Sequence, residues 1–212
     1  MIRTSDLFQK PYFRDFTAMN YNKGKTFLAN PKLFKAGQAL YFPNFQGVTL
    51  ASGSRPRDTT SVLEGKISVV SVFSSTWAEN QKNTFVGKRQ NPELWEALKQ
   101  NEDVAQAVDI NVEENAVKAS LFVKPFFFLL RRQRPQSEWD RYFLVRRGIT
   151  PEIRDTIGLI NSKVGYVFLL DGDCKIRWAA SGNAEGEEKN YLLRGLRRLL
   201  EESRRPREKL VA

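Results

Sequence analysis

Lys66 to Gln81 reads KISVVSVFSSTWAENQ, and the change of character halfway along it decides the fold. Lys66 to Phe73 is short, β-branched and apolar on both alternations, which predicts a buried strand of a parallel sheet. Ser74, Ser75 and Thr76 follow at once. Thr76 and Glu79 have capping-box spacing, so a helix is predicted to begin near Trp77. A buried strand that turns directly into a capped helix is the first half of a crossover unit.

Working outward, Asn91-Pro92-Glu93 offers a second helix start: a cap, a proline at the first helical position and an acid at the positive dipole end. Leu94, Trp95 and Leu98 supply its apolar face. Val104 to Val112 (VAQAVDINV) alternates and predicts a second strand. Tyr166 to Leu170, the turn Asp171-Gly172-Asp173 and Lys175 to Ala180 predict a hairpin. Leu192, Leu193, Leu196, Leu199 and Leu200 form the stripe of a closing helix. The crossover makes the first pair of strands parallel, and the tight turn makes the last pair antiparallel. This order defines an α/β protein with the thioredoxin layout, a central mixed sheet flanked by helices. Upstream, Phe42 to Leu50 predicts a leading strand and Ala51 to Thr60 a loop. Between Val112 and Tyr166 lies a long, mainly helical insertion. Asn115 to about Arg134 is helical in pattern but broken by Pro125, which predicts a kink or two helices. Thr150-Pro151-Glu152 opens another helix, with Ile153, Ile157 and Ile160 on one face. Residues 1–38 are read as a basic N-terminal extension, 39–203 as the domain and 204–212 as a basic tail.

Thioredoxin-like enzymes carry their reactive cysteine at the start of the helix after the first core strand, where the dipole stabilises a thiolate. Here that place reads Trp77-Ala78-Glu79-Asn80-Gln81, so Ala78 and Gln81 take the two cysteine positions. Val164-Gly165 stands where such enzymes place a proline before the hairpin. The chain has one cysteine, Cys174, which excludes an internal disulfide, and no histidine. The commonest general base and the commonest metal ligand are thereby missing. Cys174 reads as a turn residue, Ser74 to Thr76 as helix caps, and Asp171 and Asp173 as turn acids rather than a metal site. No catalytic, cofactor or metal site is expected.

The 212 residues carry a net charge of +10, which favours acidic partners such as anionic lipid, nucleic acid or an acidic protein surface. No apolar run approaches the ~20 residues of a membrane span. The longest, Leu121 to Leu130, is interrupted by Lys124 and Pro125. The basic N-terminus fits a transit peptide only in part. Two binding surfaces suggest themselves. Phe126, Phe127 and Phe128 run into Leu129 and Leu130 and are followed by Arg131 and Arg132. Five successive apolar residues overrun one helical stripe, so at least one should face a client or a bilayer interface. Arg177 and Trp178 are adjacent on a strand, which should bury one and expose the other as a contact. A rival reading is RNA or mitoribosome binding, since Lys124 to Arg154 holds eight Lys/Arg against three Asp/Glu. No RNA-binding motif with interleaved aromatics supports it. A degenerate peroxiredoxin ranks third.

The run Asn161, Gly165 to Asp171 (GYVFLLD), Ile176-Arg177-Trp178-Ala179, Ser181-Gly182 and Glu187 resembles the mitochondrial F-type ATP synthase assembly factor ten family. Tyr41-Phe42-Pro43-Asn44 and Val72 to Trp77 fit the same family, and the resemblance extends over about Ala39 to Leu200. It implies a thioredoxin-like fold without redox activity or cofactor. It also implies a factor on the matrix side of the mitochondrial inner membrane that helps subunit a of the Fo sector mature and join the c-ring. No nucleic-acid partner is implied.

Overall fold

β3 (Ile67–Phe73) is buried along all seven residues, as a strand with apolar side chains on both faces must be. The computed structural model describes residues 24–51, 55–113, 123–146 and 148–204. Around β3 lie β1 (Gln46–Thr49), β2 (Pro56–Asp58), β4 (Ala105–Val112), β5 (Tyr142–Val145), β6 (Tyr166–Leu170) and β7 (Ile176–Ser181). They form one sheet in the order β2-β1-β5-β4-β3-β6-β7. β3, β4 and β5 are parallel, with Val70 opposite Val108 and Asn111 opposite Leu144. The β6–β7 hairpin joins β3 antiparallel, with Val70 opposite Phe168. The thioredoxin-like layout expected from the element order is therefore present.

The two-residue period of the strands sorts the core into two layers. Val69, Val167, Leu169 and Trp178 face one side. There they meet α2 (Thr76–Val86), α3 (Pro92–Lys99) and α6 (Glu188–Arg204) through Phe85, Leu94, Leu98, Leu192, Leu196 and Leu199. Val70, Val108, Phe143, Phe168 and Leu170 face the other side, under Phe42, Phe45, Ile157, Leu159 and Leu63 of the short α1 (Thr60–Leu63). A third cluster joins Leu50, Phe73, Tyr142 and Leu144 to Phe127 of α4 (Val123–Gln133).

Several expectations need correction. β5 lies inside the stretch read as a helical insertion and supplies a third parallel strand. Residues 56–58, read as loop, add the edge strand β2. Pro125 sits in the first turn of the described part of α4, where its missing N–H costs nothing. The expected start of that helix, residues 115–122, lies outside the described residues. α5 (Pro151–Thr156) stops after six residues because Gly158 turns left-handed, with φ 76°. Ile157 is buried, but Ile160 is 54% exposed, so the two do not share a face. The helix that begins at Thr76 is capped by Ser75, whose side chain accepts from the Ala78 N–H.

Residues 24–42 contain no helix or strand but lie along the outer side of β7. The Phe34 N–H donates to the Arg177 carbonyl and the Ile176 N–H to the Leu40 carbonyl, so the exposed edge of the hairpin is partly paired. Lys25 is nearly buried against Glu188 at 2.7 Å and also donates to the Ser181 and Asn183 carbonyls. Glu188 in turn accepts the N–H groups of Ala29 and Glu185.

Candidate functional site

The loop after β3 is where this fold class keeps its thiols. Ala78 and Gln81 occupy those positions and are both buried. The Gln81 side-chain oxygen accepts the Gly165 N–H at 3.0 Å, tying the helix to the segment before the hairpin. A Cβ on Gly165 would collide with the Ala78 carbonyl oxygen, so only glycine permits this approach. Gly24 lies against Trp77 and Gln81 just as closely. The start of α2 is thus packed closely against the protein's own segments at Gly24 and Gly165. Cys174 lies at the other end of the hairpin, buried and in a left-handed turn with φ 61°. Burial, with Glu64, Asp171 and Asp173 nearby, pushes its thiol pKa up and away from the reactive thiolate.

The candidate binding residues separate by helical phase. On α4, at 100° per residue, Phe127, Leu130 and Arg131 share the inner face, and Arg134, just past the end of the helix, continues it. Phe127 is buried in the third core cluster. Arg131 donates through Nε to the Leu50 carbonyl at 2.8 Å and lies over the Trp139 ring, so it braces the fold. Phe128 is 62% exposed and Leu129 53% exposed. Arg132 is exposed, with its guanidinium 5.3 Å from the Phe128 ring centre. The side chain of Phe126 lies outside the described residues.

The expectation that one of Arg177 and Trp178 is exposed is wrong, because both are buried. Trp178 packs edge-on against Phe85, and its ring N–H donates to the Asn30 carbonyl at 2.8 Å. Arg177 lies at a shift in the β6–β7 pairing, between Ile176 and Trp178, which face opposite sides of the sheet, and residues 24–42 and α6 cover it. It donates to the Phe34 carbonyl and pairs with Asp171 and Glu202.

One charged cluster was not foreseen. On the helical side of the sheet, β4 presents Ala105, Ala107 and Asp109 beside Val69 and Ser71 of β3. These small side chains leave an open trough of about 740 Å³ between α2, α3 and residues 133–141. At its end Lys82 Nζ lies 2.9 Å and Arg134 Nη2 2.8 Å from the Asp109 carboxylate. Burial would raise the pKa of Asp109, but the two cations outweigh it and hold the group below its ordinary value. Asp109 in an otherwise apolar-and-alternating strand was the available signal. Its two partners, 27 and 25 residues away, had none.

A parallel-centred sheet, a closing hairpin and a loop without cysteine after the first core strand define a domain with the thioredoxin-like fold. A protein of Chlorobium tepidum described as the thiol:disulfide interchange protein DsbE matches the fold with a TM-score of 0.50 at 16% identity, covering 76% of this chain and 96% of that one. Residues 4–199 match the profile of the ATP10 protein family, and the chain belongs to that family. The protein named mitochondrial ATPase complex subunit ATP10 in Saccharomyces cerevisiae is 33% identical over 203 residues, covering 91% of this chain and 71% of its own. The protein of the same name in Eremothecium gossypii is 34% identical over 197 residues, covering 90% of this chain and 70% of its own.

Proposed function

We propose that this protein assists assembly of the mitochondrial ATP synthase by binding a component of it, and not by exchanging disulfides. The observation that carries this reading is the loop after β3. In a chain of the ATP10 protein family, Ala78 and Gln81 stand at the thiol positions, and Gly165 closes the space beside them. The client we infer is subunit a of the Fo sector on its way to the c-ring, met at the matrix face of the inner membrane. The sequence resemblance supports this choice. No helix among the described residues is long and apolar enough to cross a membrane, which favours a peripheral position. The candidate contacts on the outer face of α4 are Phe128, Leu129 and Arg132.

The test is recovery of the tagged protein from mitochondrial membranes solubilised in mild detergent. Subunit a should co-purify, and Cys174→Ser should recover as much of it as the parent. Loss of the client in that variant at an unchanged melting temperature would reveal a thiol role and defeat the non-redox reading. Recovery of RNA in place of any ATP synthase subunit, with affinity falling steeply as salt rises, would favour the rival reading.

A further inference from the structure

The outer face of α4 is built for one kind of partner. Taking Phe127 as the inward direction, Phe128 lies at about 100°, Arg132 at about 140°, Pro125 at about 160° and Leu129 at about 200° around the helix. All four are exposed. Two large apolar side chains, 62% and 53% exposed, thus flank a guanidinium on a face turned to solvent. The helix sequence VKPFFFLLRRQ contains three basic residues and no acid. The whole chain carries a net charge of +10.

Size and charge together select among partners. Phe128 and Leu129 offer roughly 200 Å² of apolar area, well short of the ~800 Å² that each side of a stable protein–protein interface buries. An interfacial helix needs only a few inserted side chains, with cations among them to meet headgroup phosphates. Arg132 is suited to that role. Its guanidinium lies over the Phe128 ring, 5.3 Å from the ring centre, and the residue is exposed, so the cation and the apolar ring are presented together at the surface. A second copy of this chain is disfavoured because it would bring two basic helices face to face.

We propose that α4 docks on an anionic phospholipid surface, with Phe128 and Leu129 entering the interface and Arg132 binding phosphate. The proposal rests on the membrane-side placement argued above and names the surface responsible. Its face has a defined orientation, because Phe127 and the Arg134–Asp109 pair fix the opposite side of α4 to the sheet.

The experiment uses the purified full chain and vesicles of phosphatidylcholine, alone or mixed with an anionic phospholipid, read by flotation. The parent should float with the anionic vesicles, remain behind with the neutral ones, and detach as salt rises. Phe128→Ser/Leu129→Ser should melt like the parent yet bind about tenfold more weakly. Arg132→Glu should lose the preference for anionic vesicles. Phe127→Ser, the buried comparison, should melt early. Failure of the parent to bind anionic vesicles would overturn the proposal, as would parent-like binding by the double variant and Arg132→Glu. Capture of a reconstituted apolar subunit through Phe128 and Leu129 without vesicle binding would assign the face to protein and also overturn it. The two readings fail separately. Co-purified subunit a without vesicle binding removes only the lipid proposal, while vesicle binding without any ATP synthase component removes only the assembly function.

Discussion

Asp109→Ala should be among the most damaging single substitutions outside the apolar core. The carboxylate holds Lys82 through both oxygens, at 2.9 and 3.1 Å, and Arg134 at 2.8 Å. The side chains of Lys82 and Arg134 are only 6% and 21% exposed. Removing the acid leaves two cations with little access to water. Breaking a buried ion pair by deleting one partner costs about 3–5 kcal/mol. The Phe73 ring, 5.1 Å from Lys82, and the Tyr142 ring, 4.7 Å from Arg134, offset a part of this, which places the expectation near the lower figure. For a chain of this size, about 3 kcal/mol lowers the melting temperature by about 6–12 °C. The effect has a pH signature. Because the Asp109 pKa is lowered in the folded protein, the unfolded chain binds the proton first as pH falls. The contribution is therefore complete at neutral pH, declines below the unfolded value of about 3.9, and is lost as pH falls through the folded value. Urea unfolding at pH 7 and at acid pH, on parent and variant, measures both quantities. A loss below about 1 kcal/mol at pH 7, or a gap between the two proteins that does not shrink in acid, would refute the reasoning.

Gly165→Ala should lower stability by at least about 1–3 kcal/mol, because the new methyl meets a backbone carbonyl that cannot give way; thermal unfolding checks this. Lys25→Met should cost about 3 kcal/mol by leaving the Glu188 carboxylate buried without its cation. Amide exchange should then quicken over residues 25–34 and stay slow in β3, and unchanged exchange at Ala29 would count against the tie.

The elements readable in the sequence were those whose character is local. β6 is a continuous apolar run and β3 one interrupted only by Ser68 and Ser71, and the capping residues Ser75 and Asn91 mark the two helices that follow β3. β5 escaped because YFLV is only four residues long and follows a 3₁₀ stretch, with no turn signal before it. The candidate site divided in the same way. Five apolar residues on one helix do overrun its buried stripe, and the exposure of Phe128 and Leu129 reflects that count. Arg177 and Trp178 misled because the β6–β7 pairing shifts at Arg177, which breaks the alternation, and because alternation does not say whether a face is covered. Arg177 is covered by Phe34, 143 positions away, and nothing near either residue announces that contact.

The segment along β7 has a further consequence in time. Lys25 waits for Glu188, 163 positions later, and Asn30 for Trp178, 148 positions later. A ribosome adding about 5–20 residues per second needs roughly 8–30 seconds to supply that last partner. The part of the described chain made first is therefore fastened last. Until β6 and α6 emerge, Phe27 lacks the Tyr166 ring and Leu33 the surface at Gly195, and the nascent chain exposes both to any holdase within reach.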